Sequence, residues 1–451
     1  MMVRRSINST KIWVFLVGLF SMTQVRVIGS IGISELAIVL VAPFFYVQDL
    51  RKIKQDGMLL LLNLTLLTSV SCCISCWLND TSFAEGIRGF AAPVVMWAGI
   101  VVMHRLLRRD LSSLSWFVVG FTLSNIINVF VFQQSADISV NGGYDSVSAD
   151  VIIAGPLFWL SRLKSLFLDV PIAAFYKFVP VSYCAFVPFV FVAVAFAISD
   201  SGRSMAMTFM MAAGMMLFGG KKISRMRNIS KHFLVACIVG VIALVAFKQA
   251  YVYAAQKGFL TENAQRKYEN QTREGSGFIS LIMAGRAETF VGASAALRRP
   301  LFGYGPWPID TDNICEDFLL KYGADEDITK YQRSLEYYAR MGFSRRTSLI
   351  PCHSHIIGFW VWYGFVGAIL WFYVLYVIYR HLKNNIAAVP RWFGYFSLFI
   401  PSSIWNIFFS PFGARMHTIT FITALFIANA VRCGKIALPP DMMREVIKGK
   451  I

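Results

Sequence analysis

Only six histidines occur in the 451 residues, and two of them flank one serine in Pro351-Cys352-His353-Ser354-His355. A neutral imidazole has a pKa near working pH and can take a proton from a hydroxyl. The apolar run that begins at His355 predicts a helix starting there, and a helix N-terminus favours an anion nearby. The same residues could instead anchor the helix at a membrane interface. Two imidazoles at i, i+2 with no third ligand do not make a metal site. Ser354 lacks the G-x-S-x-G surroundings of a nucleophile.

Upstream, residues 281–299 read LIMAGRAETFVGASAALRR, a helical pattern stopped by Pro300. The Gly/Pro turn Pro300-Leu301-Phe302-Gly303-Tyr304-Gly305-Pro306 follows. Arg286 lies towards one end of that helix and Arg298 and Arg299 at the other. Planar guanidinium forks suit phosphate. The competing reading is a solvated helix with Glu288 as a local ion-pair partner. Asp310, Asp312, Glu316, Asp317, Asp325, Glu326 and Asp327 do not follow the spacing of a calcium loop and read as a solvated acidic face. Cys315 and Cys352 are the two cysteines of this segment, candidates for a disulfide if it faces an oxidising compartment.

These residues need a platform, and the composition says of what kind. The chain is 56% hydrophobic and 15% charged, against roughly 25% charged in soluble domains. Its apolar runs are continuous and reach the ~20 residues that cross a bilayer, which excludes a soluble enzyme and argues against a membrane barrel. The formal charge of +18 does not point to nucleic acid, because the basic residues sit in clusters between apolar runs. Arg51, Lys52 and Lys54 form one such cluster, Arg105, Arg108 and Arg109 another, and Lys221, Lys222 and Arg225 a third, as cytoplasmic loops do.

Spans are expected near 12–28, 31–48, 58–77, 89–105, 113–133, 155–177, 180–199, 204–219, 233–252, 355–379, 392–410 and 413–432. That is an all-α polytopic protein of about twelve transmembrane helices with both termini cytoplasmic. The organisation is helices 1–9 in 1–252, a large external loop in 253–354, and helices 10–12 with a cytoplasmic tail in 355–451. The span at 155–177 carries Arg162, Lys164 and Asp169, and is kept because the sidedness of the basic loops needs it. The external loop holds 13 Lys/Arg and 12 of the 25 acidic residues, and connections that long are usually functional. A second external loop, 134–150, is acidic. Cys72, Cys73 and Cys76 read as apolar cysteines buried in the third span.

His353, followed by Gly364-Phe365-Val366-Gly367 and preceded by Arg286 and the P-x-x-G-x-G turn at 300–305, resembles the O-antigen polymerase/ligase superfamily. Those are bacterial inner-membrane glycosyltransferases that use polyprenyl-pyrophosphate-linked glycans. The resemblance covers roughly 280–370 by motif and the whole chain by topology. It implies His353 as the catalytic base, with His355 as the alternate, and Arg286 as a pyrophosphate ligand. Arg203, in Ser199-Asp200-Ser201-Gly202-Arg203, matches the family's second phosphate arginine more loosely, because Gly202 separates it from the serine. Arg298 and Arg299 are further pyrophosphate candidates. The family's Asn after the histidine is Ser354 here, and either residue could cap the helix or orient the imidazole.

The implied reaction is polymerisation of undecaprenyl-pyrophosphate-linked repeat units of an O-antigen or exopolysaccharide, with neither metal nor cofactor. The alternative within the class is a ligase that moves lipopolysaccharide glycan to a lipid A core. Implied partners are the lipid-linked donor, a glycan acceptor, membrane lipids and chain-length regulator proteins, and no nucleic acid. The alternative of another class is a polysaccharide or lipid-linked-sugar transporter, which would carry its ionisable residues near the membrane midplane.

Overall fold

The computed structural model describes residues 9–20, 24–26, 30–108, 289–315, 317–318, 349–352, 354–384 and 393–410, with isolated positions within 113–127, 187–214 and 249–259. The elements are α1 (Ser9–Leu19), β1 (Gln24–Arg26), β2 (Ser30–Gly32), α2 (Ile33–Gln55), α3 (Leu59–Leu78), α4 (Phe83–Leu107), α5 (His355–Tyr363), α6 (Phe365–Asn384) and α7 (Phe393–Phe409). A helical segment at 289–298 precedes the Gly/Pro turn. The described chain is therefore mostly helical. Three of its helices, α2, α3 and α4, are long and apolar enough to cross a membrane. The spans read at 155–177 and 413–432 and the loop at 134–150 lie outside the described residues. Of the other spans between 113 and 252, the one read at 204–219 is helical over 209–214, and the rest fall on isolated described positions.

The chain is distributed as a membrane protein distributes it. On α3, Leu60, Leu67, Val70, Ile74 and Trp77 face outwards, while Thr65, Thr68, Ser69, Ser71 and Ser75 are buried. Hydrocarbon offers no penalty to outward apolar side chains, and small polar residues let helices approach and bond. The hydroxyls close on carbonyls: Thr65 Oγ1 donates to Leu62 O at 2.7 Å and Ser69 Oγ to Thr65 O at 3.1 Å. α4 is central, with Met96 to His104 buried without interruption. That is the pattern of a helix surrounded by others. Ser82 caps α4 by accepting from the Glu85 N–H at 3.4 Å while donating to its carboxylate at 2.9 Å. Glu35 closes the start of α2 by accepting from the Gly32 N–H at 2.8 Å. Cys72 is buried but Cys73 is exposed, contrary to the reading that buries all three. Successive residues on a helix are about 100° apart, and only Cys72 and Cys76 share the inward face.

Two of the basic clusters meet at one end of this bundle. Arg108 Nε donates to Asp56 Oδ2 at 2.6 Å and His104 Nε2 lies 2.9 Å from the same oxygen. Arg105 Nη1 donates to Asp49 Oδ2 at 2.9 Å, and Lys52 also pairs with Asp49. Burial by itself would raise the Asp56 carboxyl, but the bonds from Arg108 and His104 outweigh it and hold it below the usual carboxylate range. A carboxyl with a depressed folded pKa contributes stability above its unfolded pKa, near 4, and loses it as pH falls through the folded value. Asp56→Ala should therefore lower stability at neutral pH. The loss should be towards the lower end of the ~3–5 kcal/mol for breaking a buried pair, because Arg108 keeps some contact with water. Thermal unfolding in detergent checks this, and the gap from wild type should close below about pH 4.

Four expected spans change. The first, read at 12–28, is helical over Ser9–Leu19 only, and Gln24–Arg26 pairs antiparallel with Ser30–Gly32 in the register Gln24↔Gly32, Val25↔Ile31 and Arg26↔Ser30. Val25 and Ile31 are β-branched and favour the extended chain. At eleven residues α1 is about 16 Å long, short of a ~30 Å hydrocarbon core. The span read at 355–379 is two helices broken at Gly364, which has φ 71° and ψ −163°. Side chains forbid that backbone region, so the glycine ends the helix where apolar periodicity alone runs straight through. α5 folds back on α6, with Gly367 against Phe359 and the His355 ring 4.7 Å from that of Trp371. The spans read at 31–48 and 89–105 extend to Ile33–Gln55 and Phe83–Leu107.

Candidate functional site

The two glycine motifs, separated by some sixty residues of sequence, lock together. Gly303 has φ 70° and its α-carbon faces α5 so closely that a β-carbon would lie 2.4 Å from Val361 O. A β-carbon on Gly364 would lie 2.0 Å from Leu301 O. Across this contact the Tyr304 N–H donates to Val361 O at 2.6 Å and the Phe365 N–H to Pro300 O at 2.8 Å. Trp360 Nε1 donates to the same Pro300 carbonyl at 3.0 Å. The P-x-x-G-x-G turn and the G-x-x-G segment are thus two halves of one joint, each needing glycine where the other's backbone arrives.

The joint is seated on α3 and α4. Ser71 Oγ donates to Tyr363 O at 2.6 Å, and Tyr363 Oη donates to Gly89 O at 2.8 Å. Pro306 fills the space where Gly89 lacks a side chain. Asn79, at the C-cap of α3, donates to Ser75 O at 2.7 Å and Gly303 O at 3.2 Å. Asn79, Ser71 and Gly89 carry no local sequence signal for this role, because their partners lie more than 200 residues away.

Arg298 and Arg299 stand beside the joint with carboxylate partners. Arg298 Nη2 donates to Asp317 Oδ2 at 2.7 Å and Nη1 to Asp312 O at 3.2 Å. Arg299 Nη1 donates to Asn79 Oδ1 at 2.5 Å, Nη2 to Asp312 Oδ2 at 3.2 Å, and the guanidinium lies 4.3 Å over the Tyr304 ring. Tyr304 Oη also donates to Asp312 at 3.0 Å. Burial, then this carboxylate, pushes the phenol up to about 12. Of the residues read as a solvated acidic face, Asp310, Asp312 and Asp317 are bonded within the fold, and Glu316, Asp325, Glu326 and Asp327 lie outside the described residues. Asp310 is buried and accepts from the Ile314 and Cys315 N–H groups, both at 2.8 Å. Asp312 and Asp317 hold the arginines. A free carboxylate face becomes a bonded turn because loop donors and nearby guanidinium groups converge on it. Trp307, with φ 49°, is strained for a bulky residue. Its ring rests 4.5 Å from that of Trp362.

The histidine segment lies at the other end of α5. Ser354 caps that helix, accepting from the Ile357 N–H at 3.3 Å and donating to Ile407 O of α7 at 2.9 Å. Both Ser354 and His355 are buried. Ser354 thus performs the capping alternative read from sequence. His353, Arg286 and Arg203 lie outside the described residues. Their sequence neighbours are informative: Gly292, in the helical segment at 289–298, has its α-carbon against Pro351 O and Ile357. Val291, Ala295, Ile314, Cys315 and Ile350 form one apolar cluster, with Cys352 packed against it.

Cys315 and Cys352 share that cluster as free thiols. Burial pushes the Cys315 thiol well up, and the Cys352 thiol up to about 12. The thiolate is the reactive form. In native protein near pH 8, iodoacetamide should label both cysteines far more slowly than after denaturation, as read by peptide mass spectrometry without reductant. A Cys315–Cys352 disulfide in those peptides would overturn the expectation.

No protein-family model, curated protein or solved structure matches the chain.

Proposed function

We propose that the chain is an inner-membrane glycosyltransferase that joins undecaprenyl-pyrophosphate-linked oligosaccharide repeat units of a surface polysaccharide at the periplasmic face. The observation that carries this reading is the joint. The turn motif and the G-x-x-G motif, the residues on which the resemblance rests, pack against each other on apolar helices. In addition, the helical segment that follows Arg286 abuts Pro351 and Cys352, the residues that precede His353. The described parts of the pattern thus pack as one tertiary unit, which supports the reading.

In this reading His353 takes the proton of the acceptor hydroxyl as its oxygen attacks C1 of the donor sugar. The C1–O bond to pyrophosphate breaks in the same displacement, inverting the centre. Arg286 and Arg203 stabilise the charge that develops on the departing pyrophosphate. Of the arginine candidates, Arg286 ranks above Arg298 and Arg299, because both of the latter are engaged by carboxylates at the far end of α5. Sidedness is supported by the bundle ends. The clusters 51–54 and 105–108 share one end, and the Gly/Pro turn with Asn79 occupies the other, so a cytoplasmic basic end makes the turn periplasmic. The transporter alternative rests on Arg162, Lys164 and Asp169 of the span at 155–177, which lies outside the described residues.

Purified protein with a lipid-linked repeat unit tests the scheme. Arg286→Lys should lower transfer by roughly 10²-fold or more, since an ammonium cannot reproduce the planar fork and lost charge stabilisation costs about that much. Near-wild-type transfer by that variant would remove Arg286 from the site, and a chelator that stopped wild-type transfer would remove the metal-free scheme. A ladder of products supports polymerisation, whereas transfer only to a lipid A core acceptor would assign the ligase reading.

A further inference from the structure

The Gly/Pro turn runs inwards from the α3–α4 end of the bundle. Ser71, which bonds Tyr363, is seven residues short of the end of α3 at Leu78; at 1.5 Å per residue that is about 10 Å inside. Gly89, which Pro306 touches, is six residues inside the start of α4 at Phe83, about 9 Å by the same rise. Tyr363, at the corner of α5 and α6, and Pro306, at the end of the turn, therefore lie at similar depths, while Gly303 and Gly305 meet Asn79 and Thr81 at the α3–α4 end itself. α6 agrees: its apolar stretch Phe365–Tyr379 is about 22 Å long, leaving roughly 8 Å of a ~30 Å core to be covered by something else.

We infer that the turn at 300–306 is a re-entrant plug in the outer leaflet, with Leu301 and Phe302 in contact with the hydrocarbon of bilayer lipids. Non-helical backbone at that depth needs protein partners, and it has them. Pro300 O accepts from Phe365 and Trp360, Gly303 O accepts from Asn79, and Tyr304 donates to Val361. The open side is apolar: Leu301 is 67% exposed and Phe302 41%. It continues directly into the outward stripe of α6, Phe365, Ile369, Phe372 and Tyr376. Arg298 and Arg299 stand at the upper rim, where Asp317, Asp312 and Asn79 hold their heads. This inference rests on the helices crossing a membrane with the sidedness proposed above, and not on the proposed chemistry.

Full-length protein carrying the photoreactive residue p-benzoylphenylalanine at Leu301 or at Phe302, in phosphatidylglycerol/phosphatidylethanolamine nanodiscs, tests it. Phe372 serves as the lipid-facing control and Asp317, exposed beside Arg298, as the water-facing one. Illumination should add the mass of one lipid at 301 and 302 with a yield comparable to that at 372 and far above that at 317. Lipid adducts at 372 but not at 301 or 302 would overturn the plug. So would cross-links from 301 or 302 to a second copy of the chain, which would make this face a protein interface. Using both positions guards against one substitution disturbing the turn, and intact glycan transfer would not rescue a negative result, since the two readings are tested separately.

Discussion

With His353 as the proposed base, His353→Ala should abolish detectable glycan transfer while leaving membrane insertion unchanged. General bases contribute about 10²–10⁴-fold, so transfer from lipid-linked donor should fall by at least that factor, with normal yield of membrane-inserted protein. The neighbouring histidine makes the comparison sharp. His355 is buried, its ring is 4.7 Å from that of Trp371, and it occupies the first turn of α5. His355→Ala should therefore leave a cavity and reduce thermal stability by a few kcal/mol, in the range of large-to-small core changes, more than it reduces turnover per folded molecule. Should His355→Ala remove transfer from stably folded protein while His353→Ala retains it, the alternate base is the right one and the roles exchange.

Gly364→Ala should separate folding of the joint from folding of the helices. Its backbone lies at φ 71° and ψ −163°, a region in which a non-glycine residue costs about 1–3 kcal/mol. The added carbon would also meet Leu301 O at 2.0 Å and Phe302 N at 2.6 Å, backbone atoms that cannot rotate aside. The turn must then leave α5, breaking the Tyr304–Val361 and Phe365–Pro300 bonds together. Transfer should be lost, and proteolysis within 299–318 should accelerate while α2, α3 and α4 stay protected. Gly367→Ala meets Phe359 O at 2.4 Å without a positive φ, so its effect should be smaller. Equal activity of Gly364→Ala and wild type would show that the joint is not needed for function.

The predictions draw on features that were legible in the sequence to different degrees. Apolar run length marks α2, α3, α4 and α7, because a helix that crosses or lines a membrane must be apolar over most of its length whatever it packs against. The cap at Ser354 is legible for a similarly local reason: a hydroxyl just before a helix start can take up one of its free N–H groups. The glycines of 303–305 and 364–367 are visible as motifs, but their purpose is not. Only the tertiary structure turns them towards each other, since the clash that requires Gly364 comes from Leu301, a residue far away in sequence. The break at Gly364 escapes a reading by apolar periodicity because both flanking helices are apolar, so nothing in composition changes at the corner. Asn79 and Asp312 likewise gain meaning only when Arg299 arrives between them. Sequence by itself determined the solvent this chain lives in, because burial in hydrocarbon acts on each segment separately. Tertiary structure decided which segments form one site, because hydrogen bonds and close backbone contacts depend on pairs that no single stretch contains.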